Sequence, residues 1–247
     1  MGFRARALLL ASAVLAALSV AGPLAAQEPK GTLVFAVDSL AAQTLDPIKE
    51  DRPGNAVYQA AMYDCLVGFD IEKGGLGPGA AERWQMSDDG LAWTFYLRPG
   101  QKWHNGDPLT AHDVKFSLER TMGPSSIAAA AASMRRSIKS IEVIDDLTVR
   151  VNTNGTQIGL PASLSRAVAP EGTLMPKNYI EKVGEEEFRK KPIGSGPWKF
   201  VRNVPGDRIE FEAVDYPHWR GRPAFKNLHI LLVPEEATRV AMARTGE

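Results

Sequence analysis

A single cysteine, Cys65, has nothing to pair with inside this chain of 247 residues, so no internal disulfide can hold the fold. Histidine is scarce too. His104, His112, His218 and His229 lie far apart and never at helical i, i+4 spacing, and no Cys/His zinc pattern occurs. Neither a metal nor any other cofactor is implied. Charge of one sign is missing as well: 29 Lys+Arg balance 29 Asp+Glu, and without a basic surplus the chain lacks the electrostatic footprint of a nucleic-acid binder. At 44% apolar and 23% charged residues, the composition is that of a folded chain of one or two domains with a sizeable core.

Catalytic signatures are equally sparse. No Walker or Rossmann glycine pattern is present, and Gly194-Ser195-Gly196 has Ile193 where a nucleophile elbow needs its first glycine. Those glycines read instead as a positive-φ turn at the mouth of a strand. Cys65 falls on the apolar face of a helical pattern, with no helix start or basic neighbour to activate a thiol, and reads as structural. The chain is therefore not expected to be an enzyme. A secreted hydrolase with a site assembled from distant residues is the alternative from another class.

What is present begins with an export signal. Arg4 and Arg6 precede an uncharged run, Gly22-Pro23 breaks it, and small residues follow to Ala26, the pattern of a signal peptide cleaved after Ala26. A membrane anchor is the competing reading, because Ala7–Ala26 is 20 uncharged residues long. Weakly apolar alanine and the Gly-Pro break speak against it. Cleavage removes two arginines and no acid, which leaves a mature chain of net charge −2.

Strand and helix patterns alternate beyond this point without a repeat. The apolar run Thr32–Val37 suits a strand buried on both faces. Asn55 is placed to cap a helix with ridges Val57/Ala61/Cys65 and Tyr58/Met62/Leu66, leaving Gln59 and Asp64 outward. Tight turns at Asp89-Gly90, Arg98-Pro99-Gly100 and Asn105-Gly106 separate short antiparallel strands. Thr110 and Asp113 form an acidic capping box for a helix, and Ile127–Met134 is a second helical segment. Ile141–Ile144 and Thr148–Val151 pair as a hairpin, and Pro176–Val183 is a helix closed by Gly184. Strands over Trp198–Val201, Ile209–Ala213 and Leu228–Val233 precede a helix over Glu235–Arg244. Trp84, Trp93, Trp103 and Trp198 are expected in core packing rather than as a stacking platform.

The punctuation itself carries a resemblance. Thr44-Leu45-Asp46-Pro47 after the first strand, Ala81-x-x-Trp84, the Asp89–Gly100 segment with Trp93-Thr94-Phe95, Trp103-His104-Asn105-Gly106 through Asp113-Val114, and Ile193–Trp198 occur in that order. Together they resemble the family 5 extracellular solute-binding proteins, the peptide receptors of ABC importers. Tyr216–Pro223 is similar to that family's Tyr-Trp-x-Gly-x-Pro segment, with Pro217 and His218 inserted. The resemblance implies an α/β fold of the two-lobed periplasmic-binding-protein type II with an extra inserted domain, here truncated before the second lobe. By that analogy residues 27–58 and 188–247 form part of the first lobe and 59–187 the inserted domain. It also implies a soluble periplasmic protein, monomeric at full length, that captures a peptide or similar solute and delivers it to a membrane permease. Nickel, haem or opines are alternative cargoes. Asp38, Ser39 and Leu40, with Asp51 and Arg52, are the implied ligand contacts, the last two as partners of a peptide's charged ends.

Overall fold

The computed structural model describes residues 28–49, 56–129, 131–165 and 172–246. The strands are β1 (Thr32–Val37), β2 (Val67–Asp70), β3 (Gly75–Pro78), β4 (Ala81–Met86), β5 (Ala92–Leu97), β6 (Ile138–Asp145), β7 (Thr148–Thr153), β8 (Trp198–Val204), β9 (Arg208–Ala213) and β10 (Asn227–Leu232). The helices are α1 (Ala56–Met62), α2 (Ala111–Met122), α3 (Ala131–Ser137), α4 (Leu160–Ser163), α5 (Lys177–Val183), α6 (Glu185–Lys190) and α7 (Glu236–Thr245). One sheet has the order β1-β10-β9-β8 and a second the order β4-β5-β7-β6, while β2 and β3 make a separate ribbon. The first sheet is mixed: β1 runs parallel to β10, and β10, β9 and β8 are antiparallel. The second is wholly antiparallel, as its tight turns require.

Each sheet carries its own core. Phe95, Leu97, Val149 and Val151 pack with Val114 and Leu118 of α2, whereas Ile209, Phe211, Leu228 and Ile230 pack with Tyr58 and Met62 of α1. Buried apolar residues change from one cluster to the other between Tyr63 and Leu66 and again between Leu174 and Met175. The tryptophans follow this division: Trp103 is buried, Trp84 and Trp93 pack against the second-sheet core, and Trp198 packs against the first.

The capping box forms as expected. The Thr110 N–H donates to the Asp113 carboxylate at 2.9 Å, and the other oxygen of Asp113 accepts the N–H of Lys177 at 3.0 Å, so one buried carboxylate fixes both the start of α2 and the start of α5. The Asn105-Gly106 turn also closes as read, with Gly106 at φ 92° and its N–H on the Trp103 carbonyl at 2.8 Å. A β-branched residue adopts that φ poorly, so Gly106→Val should destabilise the chain by about 1–3 kcal/mol. Nothing lies within 4 Å of the added carbon, so the cost is conformational alone. Coincident urea midpoints for variant and parent would sink this account.

Four readings need correction. β1 is not buried on both faces: Leu33 is 38% and Phe35 48% exposed, because the strand sits at the sheet edge with β10 as its partner. The helix capped near Asn55, itself outside the described residues, stops at Met62, four residues short of the predicted ridge. Past it the backbone turns to distant partners, Leu66 N–H to Gly172 and Leu174 N–H to Asp64, and Cys65 bridges to Thr173 instead of lying on a helix. Gln59 and Asp64, read as outward, are each only 2% exposed. Finally, the Ile127–Met134 helix is displaced: α3 starts at Ala131 and runs on to Ser137.

Candidate ligand-binding face

Parallel pairing in register from Thr32↔Asn227 to Val37↔Leu232 brings the carboxyl ends of β1 and β10 to the same edge of the first sheet. In α/β sheets that edge is where ligands collect, since the loops leaving parallel strands diverge and leave a crevice. Here the loop leaving β1 supplies the predicted contacts. Asp38 and Ser39 are exposed, and the Ser39 hydroxyl accepts the Ala41 N–H at 3.1 Å. Leu40 is turned inward, 2% exposed and part of the first-sheet core, so its side chain supports the loop from behind and does not face a solute. Asp51 and Arg52 lie outside the described residues.

The loop is strained and firmly held. Ala41, Gln43 and Leu45 have φ of 52°, 50° and 58°, a left-handed backbone that costs a non-glycine residue about 1 kcal/mol or more. Gln43 donates through its amide to the Asn203 side chain at 2.9 Å and accepts the Gly206 N–H at 2.8 Å, tying the loop to the β8–β9 turn. The Tyr63 hydroxyl donates to the Leu45 carbonyl at 2.9 Å. Deeper still, buried Asp46 takes both arms of Arg120 at 2.7 and 2.9 Å, and Glu185 lies 3.3 Å from the same guanidinium. Burial works against the Arg120 charge, but the Asp46 hydrogen bonds and the two carboxylates more than offset it and raise its pKa. The strained backbone is thus anchored on α2 and α6, whose positions the loop's own sequence does not reveal.

A second polar centre forms around Gly194–Gly196. Neither glycine has a positive φ, contrary to the sequence reading. They are small because α1 ends against them: a Cβ on Gly194 would lie 2.0 Å from the Met62 carbonyl oxygen, and one on Gly196 2.6 Å from that of Ala61. Asp64 sits beside this contact, accepting the Ser195 hydroxyl at 2.9 Å with Arg220 Nε at 3.0 Å. Burial raises its pKa, but Arg220, His218 and Ser195 outweigh burial and hold the carboxylate ionised below the ordinary range. Two histidines that are remote in sequence meet at the same turn. His104 accepts the Gly194 N–H on Nδ1 at 3.1 Å and approaches the Gly196 carbonyl through Nε2 at 2.9 Å, and His218 accepts the Arg220 N–H on Nδ1 with Nε2 2.9 Å from the Ser195 carbonyl. With Nδ1 accepting a backbone N–H in both rings, Nε2 is left to meet the carbonyl. His218, an insertion in the sequence motif, is therefore a clamp on the turn.

Burial chiefly, with Lys199 and His218 adding to it against the Gly196 hydrogen bond, lowers the His104 pKa from 6.5 to about 4. The unfolded ring then binds a proton in a range where the folded one does not, so stability is complete above about pH 6.5 and falls as the pH drops toward 4, by at most about 3 kcal/mol. His104→Gln, which retains an N–H donor, should flatten urea midpoints measured from pH 7 to pH 4. An unchanged slope would mean the ring titrates normally.

Among the described residues there is no group of three or more His, Cys, Asp or Glu side chains able to hold a metal, and no helix long and apolar enough to cross a membrane. The described chain thus sets a mixed sheet, with a held loop at the carboxyl ends of its parallel pair, beside a wholly antiparallel one. The sequence model of the bacterial extracellular solute-binding proteins, family 5 Middle, matches residues 75–247, and the chain belongs to that family. It is 31% identical over 225 residues to the periplasmic oligopeptide-binding protein OppA of Haemophilus influenzae, covering 83% of this chain and 40% of that one. Heme-binding protein A of the same organism is 31% identical, over 75% of this chain and 37% of its own. The periplasmic binding protein DppA of Helicobacter pylori, solved with the peptide STSA, superposes with a TM-score of 0.75 at 30% identity over 88% of this chain and 45% of that one. The chain spans less than half the length of the relatives it matches.

Proposed function

We propose that this chain is the first-lobe half of a periplasmic substrate-binding protein that captures short peptides and hands them to the permease of an ABC importer. The observation that carries this reading is the likeness to a peptide-bound receptor across nearly the whole described chain. Its function is differential binding without bond chemistry: an open cleft takes up solute, closure buries it, and the closed form docks on the membrane. The segment before α1, α1 itself and residues from about 175 to 246 build the lobe, because α1 and α5 belong to the first-sheet core, and about residues 64–174 form the inserted domain. Asp38 and Ser39 face the cleft, and Asp51 and Arg52 pair with the peptide's termini. Peptide backbone held by backbone leaves side-chain pockets tolerant. Export depends on removal of residues 1–26, and the mature protein is a soluble monomer.

Similarity to a haem-binding receptor at equal identity makes haem the second reading. Native mass spectrometry of the protein as the cell exports it, isolated without refolding, separates the two. Release of a distribution of short peptides is expected. A single haem mass would overturn the peptide reading in favour of the alternative, and a protein that hydrolyses added peptides would overturn both.

A further inference from the structure

We propose that the cleft between the Arg98–Lys102 turn and the Tyr216–Trp219 loop is a second binding site, one that takes a small flat organic acid carrying a hydroxyl group. The cleft measures about 540 Å³, within the range of small-molecule sites, and shares no lining residue with the loop after β1. Besides Asp64 Oδ1, which is ion-paired with Arg220 at 3.0 Å, four of its lining side chains have a buried polar atom without a hydrogen-bond partner: Arg98 Nε, Tyr216 Oη, Trp219 Nε1 and Gln101 Oε1. Buried polar atoms of folded proteins are otherwise paired, so four on one cleft need a reason.

Their chemistry selects the ligand. Arg98, Trp219 and Tyr216 offer N–H and O–H donors, and Lys102 adds a second cation to the lining. The lining carboxylate, Asp64, is already engaged by Arg220 at 3.0 Å and Ser195 at 2.9 Å and adds no free negative charge to the wall. Excess donors and cations around an unclaimed space fit an anion, and an arginine suits the planar fork of a carboxylate. Gln101 adds an acceptor. Its amide nitrogen donates to the carbonyls of Ala80 and Arg98 at 2.9 and 3.0 Å, which orients the side chain and leaves Oε1 as an acceptor that calls for a ligand hydroxyl. Tyr216, Trp219, Pro99 and Pro217 supply aromatic and apolar lining suited to a flat ring, with the Arg98 guanidinium 5.3 Å from the Trp219 ring centre.

The probe is 4-hydroxybenzoate, titrated into the whole chain by calorimetry beside benzoate and the uncharged 4-hydroxybenzamide. Saturable binding of 4-hydroxybenzoate is expected, several-fold weaker for benzoate and at least tenfold weaker for the amide. Arg98→Gln should weaken it at least tenfold and Tyr216→Phe several-fold, whereas Arg83→Gln, whose guanidinium stacks on Tyr96 outside the cleft, should leave it unchanged. Absence of saturable heat with the parent chain overturns the proposal. So does equal binding of acid and amide, which needs no variant to fold and would make the cleft a mere apolar crevice. Equal losses from Arg83→Gln and Arg98→Gln would reduce the effect to general surface charge and also overturn it. None of these outcomes bears on the proposed peptide cargo, whose proposed contacts share no residue with this cleft.

Discussion

One methyl group added at Gly194 is expected to cost the chain about 3 kcal/mol or more, the high end of what overpacking a core does. A Cβ there would stand 2.0 Å from the Met62 carbonyl oxygen and 2.9 Å from Met62 Cγ, far inside van der Waals contact with backbone that has no slack. The segment has nowhere to retreat. Its N–H is held by His104 Nδ1 at 3.1 Å, its carbonyl accepts the His104 N–H at 2.8 Å, and two residues on the Gly196 N–H donates to Met62 at 2.8 Å. Relieving the clash means breaking the contact between α1 and the start of β8, and with it the setting of Asp64. Gly206→Ala supplies the comparison: φ is 73° there with nothing within 4 Å, so its cost is about 1 kcal/mol of backbone strain. Urea midpoints for Gly194→Ala, Gly206→Ala and the parent test the ordering. If Gly194→Ala unfolds no earlier than Gly206→Ala, the close-approach explanation of this glycine is wrong.

Those two glycines mark what the sequence could and could not express. A glycine at a turn with positive φ advertises itself through neighbours such as Asn105 or Asp89, and Gly106 and Gly90 both adopt positive φ. Glycine kept small for an approaching helix end carries no local sign, since Met62 lies more than a hundred residues away. Asp64 failed for the same reason. Its helical spacing put it on the wet side, but the helix ends at Met62 and the residue that follows no longer obeys the period. Only Ser195, His218 and Arg220, from a distant stretch, make its burial tolerable.

Antiparallel pairing was legible because it is local: Asp145-Asp146 joins β6 to β7 with Asp145 facing Thr148, as the alternation on either side implies. Periodicity also found β8, β9 and α7 within a few residues. Burial of β1 was not legible, because an apolar run says a strand has apolar residues and not how many neighbours the strand has. Asp38 and Ser39 lie just past the carboxyl end of β1, and the edge they share with β10 comes from a parallel register that no property of the Thr32–Val37 run discloses.

Neutralising Asp46 alone should cost about 3–5 kcal/mol, because it strands a charge in the interior instead of removing one. In Asp46→Asn, Arg120 keeps as counter-charge the half-exposed Glu185 at 3.3 Å, beside the neutral Met175 sulfur and Phe188 ring. In Arg120→Met, the fully buried Asp46 carboxylate retains the Ile48 N–H at 3.3 Å and loses its counter-ion. The double variant removes both charges while the asparagine oxygen can still take that N–H, so its loss should fall at least about 2 kcal/mol short of the summed single losses. Thermal or urea midpoints of the four proteins form the cycle that measures this coupling. Additive losses would mean the two groups act independently and the pair is no anchor. The consequence follows from position: Asp46 follows directly on the loop whose Ala41, Gln43 and Leu45 are left-handed, so loss of its ion pair should release the loop that carries Asp38 and Ser39 before the sheet itself unfolds. Amide exchange of residues 39–46 should then accelerate in both single variants under native conditions, with β9 and β10 amides staying protected. Uniform acceleration across the first sheet would show instead that the pair serves global stability and has no particular hold on the loop after β1.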